Sequence, residues 1–448
     1  MLSGIALLVV ILLAVVFIII TASVFKLHPF LSLLLATLLT GLVVGVPLKQ
    51  ILDAVNQGFG NLLGSIGLVV ILGSMIGIVL EKSGAALQIA NLVIALVGKN
   101  KPILAMGVIG SIVAIPVFCD SAFIILSGLA KALAKKTGKN FSALALSLAG
   151  GLYTTHVLIP PTPGPLACAG NLGLSEHLGK VILMGLLVSI PATLVAIIFA
   201  NRFGKTTFFK EKLETSQENE VEQNLPSVFL SILPIFLPIA LIAFASFSNL
   251  LDFPENIKNL ILFLGSPLIA LCLGLFASFF LMSKWDKSFL NDLMGKGITQ
   301  AGTILILTGA GGAFGSLLKA TPVAQMVNEW VADSQVSGVW VLVIGYLIAA
   351  LLKTAQGSST SALVITSSML APLLQTVGLD SPTEISLLVM AIGGGAMTVS
   401  HANDSYFWVV SQIGNFPLNE AYKSFTLLSF LQGLVVLLTS AILFVLVV

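Results

Sequence analysis

Charge is what this chain most lacks. Of its 448 residues only 9% are Asp, Glu, Lys or Arg, while 57% are hydrophobic, and the mean hydropathy is +1.07. A soluble domain carries about 25% charged residues. The composition therefore excludes a soluble domain and describes a polytopic integral membrane protein. Cysteine is also scarce. Cys119, Cys168 and Cys272 lie far apart with no CxxC pair, which excludes a disulfide framework and a zinc site and leaves Cys119 as a small apolar filler. No basic cluster is interleaved with aromatics, so nucleic acid is not an expected partner. No HExxH or Gly-x-Ser-x-Gly pattern falls at a span, which argues against an intramembrane protease. No cofactor or metal is expected.

What is present in abundance is long apolar sequence. A membrane span needs about 20 mostly apolar residues. That rule places spans near 3–20, 29–46, 61–80, 141–170, 181–200, 226–247, 258–281, 298–318, 384–412 and 424–447. The run from Gly4 to Ile20 lacks a basic n-region and a cleavage site, so it reads as a retained span rather than a signal peptide. Stretches 102–134 and 338–374 are longer, have polar centres, and read as re-entrant hairpins. Stretches 84–98 and 321–333 are too short to span and read as interfacial.

The fold expected is all-α: two inverted repeats with about ten transmembrane helices, two re-entrant hairpins and two broken helices. The first repeat is 1–200 (hairpin 102–134, broken helix 141–170). The second is 226–448 (hairpin 338–374, broken helix 384–412). The hydrophilic segment 201–225 is the cytoplasmic linker. Gly73-Ser74-Met75-Ile76-Gly77 and Gly311-Gly312-Ala313-Phe314-Gly315 occupy equivalent spans, and the agreement in order of the whole series outweighs any single match. With the linker inside, Lys99, Lys101, Lys131, Lys135, Lys136 and Lys139 also fall inside. Asp333-Ser334-Gln335 and the stretch from Gln375 to Glu384, which carry no Lys or Arg, fall outside. That asymmetry is the positive-inside rule. The competing reading, twelve plain spans, would put these polar sequences at a membrane surface.

Five ionisable residues lie in or beside the breaks: Asp120, His156, Lys353, His401 and Asp404. Ionisable groups inside spans are costly and so mark function. Broken segments at corresponding places in two halves point to a transporter's binding site. Asp120, with Ser121, sits at the first hairpin turn; it would trade protons there or cap the returning helix. Gln356-Gly357-Ser358-Ser359-Thr360 forms the second tip, where hydroxyls and free N–H groups suit a carboxylate, or where small residues pack between helices. Thr154-Thr155-His156 precedes four prolines in six residues, Pro160 to Pro165, which cannot be helix interior. His156 would shuttle protons or pair with a freed carbonyl. Ser400-His401-Ala402-Asn403-Asp404-Ser405 is the matching break; its side chains offer the donors and acceptors a polyhydroxylated substrate needs. Asp404 would carry a proton or cap the half-helix resuming at Tyr406. Lys353 would neutralise a substrate carboxylate, pair with Asp120 or Asp404, or snorkel.

These residues resemble the gluconate permease family of bacterial symporters over essentially the whole chain. The resemblance is carried by His156 to Pro165, by Gly309-Ala310-Gly311-Gly312-Ala313-Phe314, by Ser400 to Val409, and by Lys26-Leu27-His28-Pro29-Phe30. It implies proton-coupled uptake of gluconate or a related sugar acid across a bacterial inner membrane, by a homodimer that moves a transport domain past a fixed scaffold. Two departures fall on the hairpin tips. Asp120-Ser121-Ala122-Phe123 stands where many such permeases have a Glu-Val-Gly-Phe type sequence, and Gly357-Ser358-Ser359-Thr360-Ser361-Ala362 where they tend to have Gly-Ser-Ala-Thr-Val-Ala. These departures leave glycerate, a tetronate or D-serine open as substrate. Sodium coupling and a passive channel remain the rival readings of mechanism.

Overall fold

The computed structural model describes residues 1–98, 101–206, 225–247, 253–282, 287–322, 338–401 and 404–447, and all regular structure among them is helical. The first half holds α1 Gly4–Ser23, α2 Pro29–Val44, α3 Leu48–Lys82, α4 Ala85–Val97, α5 Pro102–Val113, α6 Cys119–Thr137, α7 Phe141–Leu158, α8 Pro163–Asn171 and α9 Leu178–Thr206. The second holds α10 Val228–Phe247, α11 Glu255–Leu264, α12 Pro267–Phe279, α13 Lys287–Lys319, α14 Gly338–Gln356, α15 Ser359–Leu370, α16 Pro382–Met397, α17 Ser405–Ile413 and α18 Leu427–Val447. Most of the expected linker 201–225 and of the segment 321–333 lies outside the described residues.

Among the described residues, five helical stretches are long and apolar enough to cross a membrane: Phe141–Asn171, Ser175–Phe203, Val228–Ala245, Leu290–Lys319 and Leu418–Val447. Their burial differs in a telling way. The most apolar window of Phe141–Asn171, which contains the α7–α8 break, is 94% buried, against 28% for Val228–Ala245. Interrupted backbone is kept inside the protein, and uninterrupted helix takes the outer positions, as hydrocarbon requires.

The helix ends follow local chemistry. α7 stops at Leu158 because Pro160 and Pro161 have no N–H to donate; α8 restarts with Pro163 in its first turn, where a missing N–H costs nothing. α14 ends at Gln356, and Gly357 turns the chain with φ +79°, a conformation that favours glycine. The Ser358 hydroxyl caps α15 by accepting the Ser361 N–H. α16 starts with a complete capping box, Ser381 with Glu384, around Pro382. Two expectations need correction. The plain span placed at 258–281 is two helices, α11 and α12, bent by 61° where Gly265, Ser266 and Pro267 interrupt the backbone ladder. The span placed at 61–80 belongs to a helix that starts at Leu48 and bends by 47° between Ser65 and Gly67.

Among the described residues, five helix starts recur in the same order in the two halves. Leu48 and Lys287, Pro102 and Gly338, Cys119 and Ser359, Phe141 and Pro382, and Pro163 and Ser405 each open corresponding helices, always about 240 residues apart by these numbers. α3 and α13 cross at their glycines. A Cβ on Gly312 would lie 2.5 Å from the Gly58 carbonyl oxygen, and one on Gly297 would lie 3.0 Å from the Cα of Met75. Both crossings need a residue without a side chain. Gly312→Leu should therefore lower the unfolding temperature of the detergent-solubilised protein, since overpacking costs about 1–3 kcal/mol. Gly295→Ala on the same helix, where nothing lies within 4 Å, should leave it unchanged.

Candidate functional site

The four interruptions are tied to one another by named contacts. The ring of Phe118, at the first hairpin tip, packs against His156 with centroids 5.6 Å apart. Tyr153, in the last two turns of α7, shares a 2.9 Å hydrogen bond between its hydroxyl and that of Ser359 at the second tip. Lys353, near the end of α14, reaches Asp404 at the start of α17. The segments 114–121, 154–163 and 354–360 therefore share one neighbourhood with Ser400, His401, Asp404 and Ser405.

The ion pair is the centre of it. The Lys353 ammonium donates to Asp404 Oδ2 at 2.7 Å and to the Gly357 carbonyl at 2.8 Å, and its side chain is 1% exposed, that of Asp404 6%. Asp404 Oδ2 also accepts from the Ser400 hydroxyl, and Oδ1 accepts the Tyr406 N–H at 3.1 Å, capping α17. Lys353 lies 5.7 Å from the centroid of the Tyr153 ring, a cation–π distance. The loop is braced further. The Ser400 N–H donates to Ser429 Oγ, the Thr426 hydroxyl donates to the Ser400 carbonyl, and His401 Nε2 lies 2.9 Å from the Thr354 carbonyl. In this structure Lys353 and Asp404 pair with each other, and Asp404 also caps α17.

The first half is different. Asp120 Oδ1, Thr155 Oγ1 and His156 Nδ1 are buried without a hydrogen-bond partner. α6 begins at Cys119 after Phe118 with no side-chain cap, so Asp120 is not held as a capping residue of the kind Asp404 is. The charges of Asp404 and Lys353 reach both Asp120 and His156. Nearly all buried polar groups in proteins are paired. One such atom at the first hairpin tip and two near the end of α7 mark places for polar groups that the chain itself does not supply.

The other candidates divide cleanly. Thr154 is engaged: its hydroxyl donates to the Gly150 carbonyl and accepts the Gln432 amide at 2.6 Å. Ser358, Ser359 and Ser400 hold the bonds described above. Ser121 and Thr360 are half-buried at the tips, Gly357 is buried, and Ser405 is exposed. Asn403 and the side chain of Gln356 lie outside the described residues. Sequence reasoning missed Tyr153, Tyr406 and Gln432. The Tyr406 hydroxyl donates to the Ala149 carbonyl and so stitches α17 to α7. The signal was available: the chain has only four tyrosines, and two of them flank polar runs of the interruptions, Tyr153 before Thr154-Thr155-His156 and Tyr406 after Asp404-Ser405.

A polar cavity of about 340 Å³ opens where α8, α13 and α15 end, away from the ion pair, lined among others by Asn61, Ser65, Asn171, Ser316, Lys319 and Ser368. The Asn171 amide donates to Ser367 Oγ at 2.8 Å and so ties α8 to α15 at its floor. Among the described residues no cluster of His, Cys, Asp and Glu is placed to hold a metal ion.

Buried interruptions around a desolvated ion pair, within helices of spanning length, define a multi-pass membrane transport protein. The fold agrees. The crystal structure of the YdaH transporter of Alcanivorax borkumensis matches with TM-score 0.68 over 93% of this chain and 98% of that one, at 16% identity, a likeness of fold alone. The profile of the GntP family permeases matches residues 6–447, and the chain belongs to that family. It is 34% identical to a gluconate permease of Zymomonas mobilis over 95% of this chain and 94% of that one. It is 30% identical to the D-serine transporter DsdX of Escherichia coli over 95% of both.

Removing one member of a buried pair leaves an uncompensated charge, at a cost of about 3–5 kcal/mol, whereas replacing both can be nearly neutral. Asp404→Ala should strongly lower thermal stability in detergent, and Lys353→Met combined with Asp404→Leu should restore much of it. Equal loss in the single and double variants would show that the pair is not a stability determinant.

Proposed function

We propose that this permease is a secondary active transporter that brings a sugar acid such as gluconate inward with a proton, across a bacterial inner membrane. The observation that carries this reading is the asymmetry of the site: a buried cation–carboxylate pair on the second-half side, and partnerless buried atoms on Asp120 (Oδ1), Thr155 (Oγ1) and His156 (Nδ1) on the first-half side. A hydroxylated carboxylate matches both. Its charged end belongs beside Lys353, and its hydroxyls supply the partners that the first-half atoms lack. Gluconate and D-serine, for which the two relatives are named, share a carboxylate and at least one hydroxyl. The cavity beside Lys319 would be the approach from outside for an anion.

The same reading places two inverted repeats about the site, with the ends of the first hairpin inside and those of the second outside. Its support is the spacing of about 240 residues between corresponding helix starts and the charge asymmetry of the loops. Single cysteines placed at Lys135 and at Asp380 should react with a membrane-impermeant maleimide from opposite sides of the membrane. Labelling from the same side would end the inverted arrangement.

The function itself is tested by uptake of labelled gluconate into proteoliposomes under an inward proton gradient, without sodium, in competition with glycerate, a tetronate and D-serine. Accumulation that a protonophore abolishes, with gluconate the best competitor, is expected. Uptake that requires sodium, or that only equilibrates, would replace this reading with a sodium-coupled carrier or a passive facilitator. Transport of a shorter acid in place of gluconate would assign specificity to the hairpin-tip residues.

A further inference from the structure

The buried pair also constrains how coupling is achieved, on the footing that the protein carries a carboxylate as just proposed. We infer that Asp404 is the proton carrier and Lys353 the seat of the substrate carboxylate, and that each releases the other only when proton and anion are both present. The step is a proton transfer and an exchange of ion partners. An O–H bond forms on Asp404 Oδ2, the Lys353–Asp404 hydrogen bond is given up, and the Lys353 ammonium donates to the incoming carboxylate instead.

Charge is the first argument. The Lys353–Asp404 pair holds one cation and one carboxylate at nearly full burial, and so is neutral by itself; Asp120, the other carboxyl of the neighbourhood, makes no ion pair among the described residues. An anion entering alone would leave a buried net negative charge, and a proton alone would leave a buried positive one. Either state carries the steep cost of an unpaired ion away from water. With both, Lys353 faces the substrate carboxylate, Asp404 is protonated, and the site is neutral again. Only the empty and the fully loaded states can be occluded without that cost, and that is the condition for obligatory coupling.

Position is the second argument. Lys353 donates to the Gly357 carbonyl as well as to Asp404, and Asp404 caps α17 while accepting from Ser400. The pair therefore fastens the second hairpin tip to the second break, and exchanging its partners loosens both together. The rival carriers lack this link. Asp120 has no cation at ion-pair distance among the described residues, and a proton on it would not free Lys353. His156 is likewise not bonded to Lys353, and His401 faces the Thr354 carbonyl. The remaining titratable groups whose fields involve Asp404 are Cys119 of α6, Tyr153 of α7 and Tyr406 of α17. None of the three is a cation that could compete for Asp404.

Asparagine is as good a helix cap as aspartate, so Asp404→Asn keeps the Tyr406 contact and imitates the protonated state. The test follows proton uptake with a pH indicator when gluconate is added to the full-length protein in weakly buffered detergent. The wild-type protein should take up about one proton per gluconate bound, since a charged hydrogen-bond partner must be neutralised. Asp404→Asn should take up none, with an affinity that no longer varies with pH, whereas Asp120→Asn should keep the wild-type count of protons per gluconate bound even though its affinity falls. Lys353→Met should weaken binding roughly 10- to 100-fold, the range of a charged hydrogen bond. Proton uptake that persists in Asp404→Asn, or that is lost only in Asp120→Asn, overturns the assignment.

A second readout needs no substrate and covers a variant that folds poorly. Lys353→Met alone should lower the unfolding temperature, because it leaves Asp404 buried without its cation. The fall should be smaller in Lys353→Met/Asp404→Asn, which leaves no unpaired charge. If gluconate does not bind the wild-type protein, the proposed substrate fails separately. An undiminished fall in the double variant would then count against the switch itself.

Discussion

An amide N–H or C=O left facing hydrocarbon has nothing to bond to, and most of this architecture follows from that one constraint. A chain that must interrupt its helices at membrane depth has to bury the interruptions in protein. The α7–α8 segment is accordingly sheathed on nearly all sides, and α10 and α18 take exposed positions. The interruptions also need their own local bonds. Ser358 and Asp404 cap the helices that resume in the second half, and the prolines around Pro161 remove donors that would otherwise be stranded. The residues that solve the backbone problem are the same ones that create a polar centre. Asp404 is at once a helix cap, the partner of Lys353 and the acceptor of Ser400.

The two halves have settled this problem differently. On the second-half side Lys353, Asp404 and Ser400 satisfy one another, and the ion pair fastens the hairpin tip to the break, while Thr366 Oγ1 and Gln432 Oε1 are the buried atoms there without a partner. On the first-half side Asp120, Thr155 and His156 keep unpaired atoms in buried positions. Two similar halves with unlike degrees of satisfaction suit a substrate that is itself lopsided, with one charged end and several hydroxyls. Tyr153 stands between them, its hydroxyl on Ser359 and its ring beside Lys353. A change in the ionic bond is thus positioned to be felt by the helix that carries the open polar atoms.

Much of this was legible in the sequence, because charge and proline are expensive at membrane depth and therefore stand out. The breaks fall where they were expected: α7 ends two residues before Pro160, the second hairpin turns at Gly357, and α17 resumes at Ser405. The 61° bend between α11 and α12 was not legible. Hydropathy is blind to direction, and the Gly265-Ser266-Pro267 signal was averaged into an apolar window. Nor could sequence say which hydroxyls are free. Thr154 and Thr155 are neighbours of one type, yet a single glutamine on α18 occupies the first and leaves the second open. That distinction comes from packing between residues 278 positions apart, and local pattern does not carry it.

The central claim is that the site stays neutral when it loads, so transport of a monoanion with its proton should move no net charge. The most direct test is to impose a membrane potential and a pH gradient separately on proteoliposomes and to measure gluconate uptake under each. Uptake driven by the pH gradient and indifferent to the potential is the predicted result. Uptake driven by the potential with no pH gradient would contradict the account, because it would mean that an uncompensated charge crosses with the substrate.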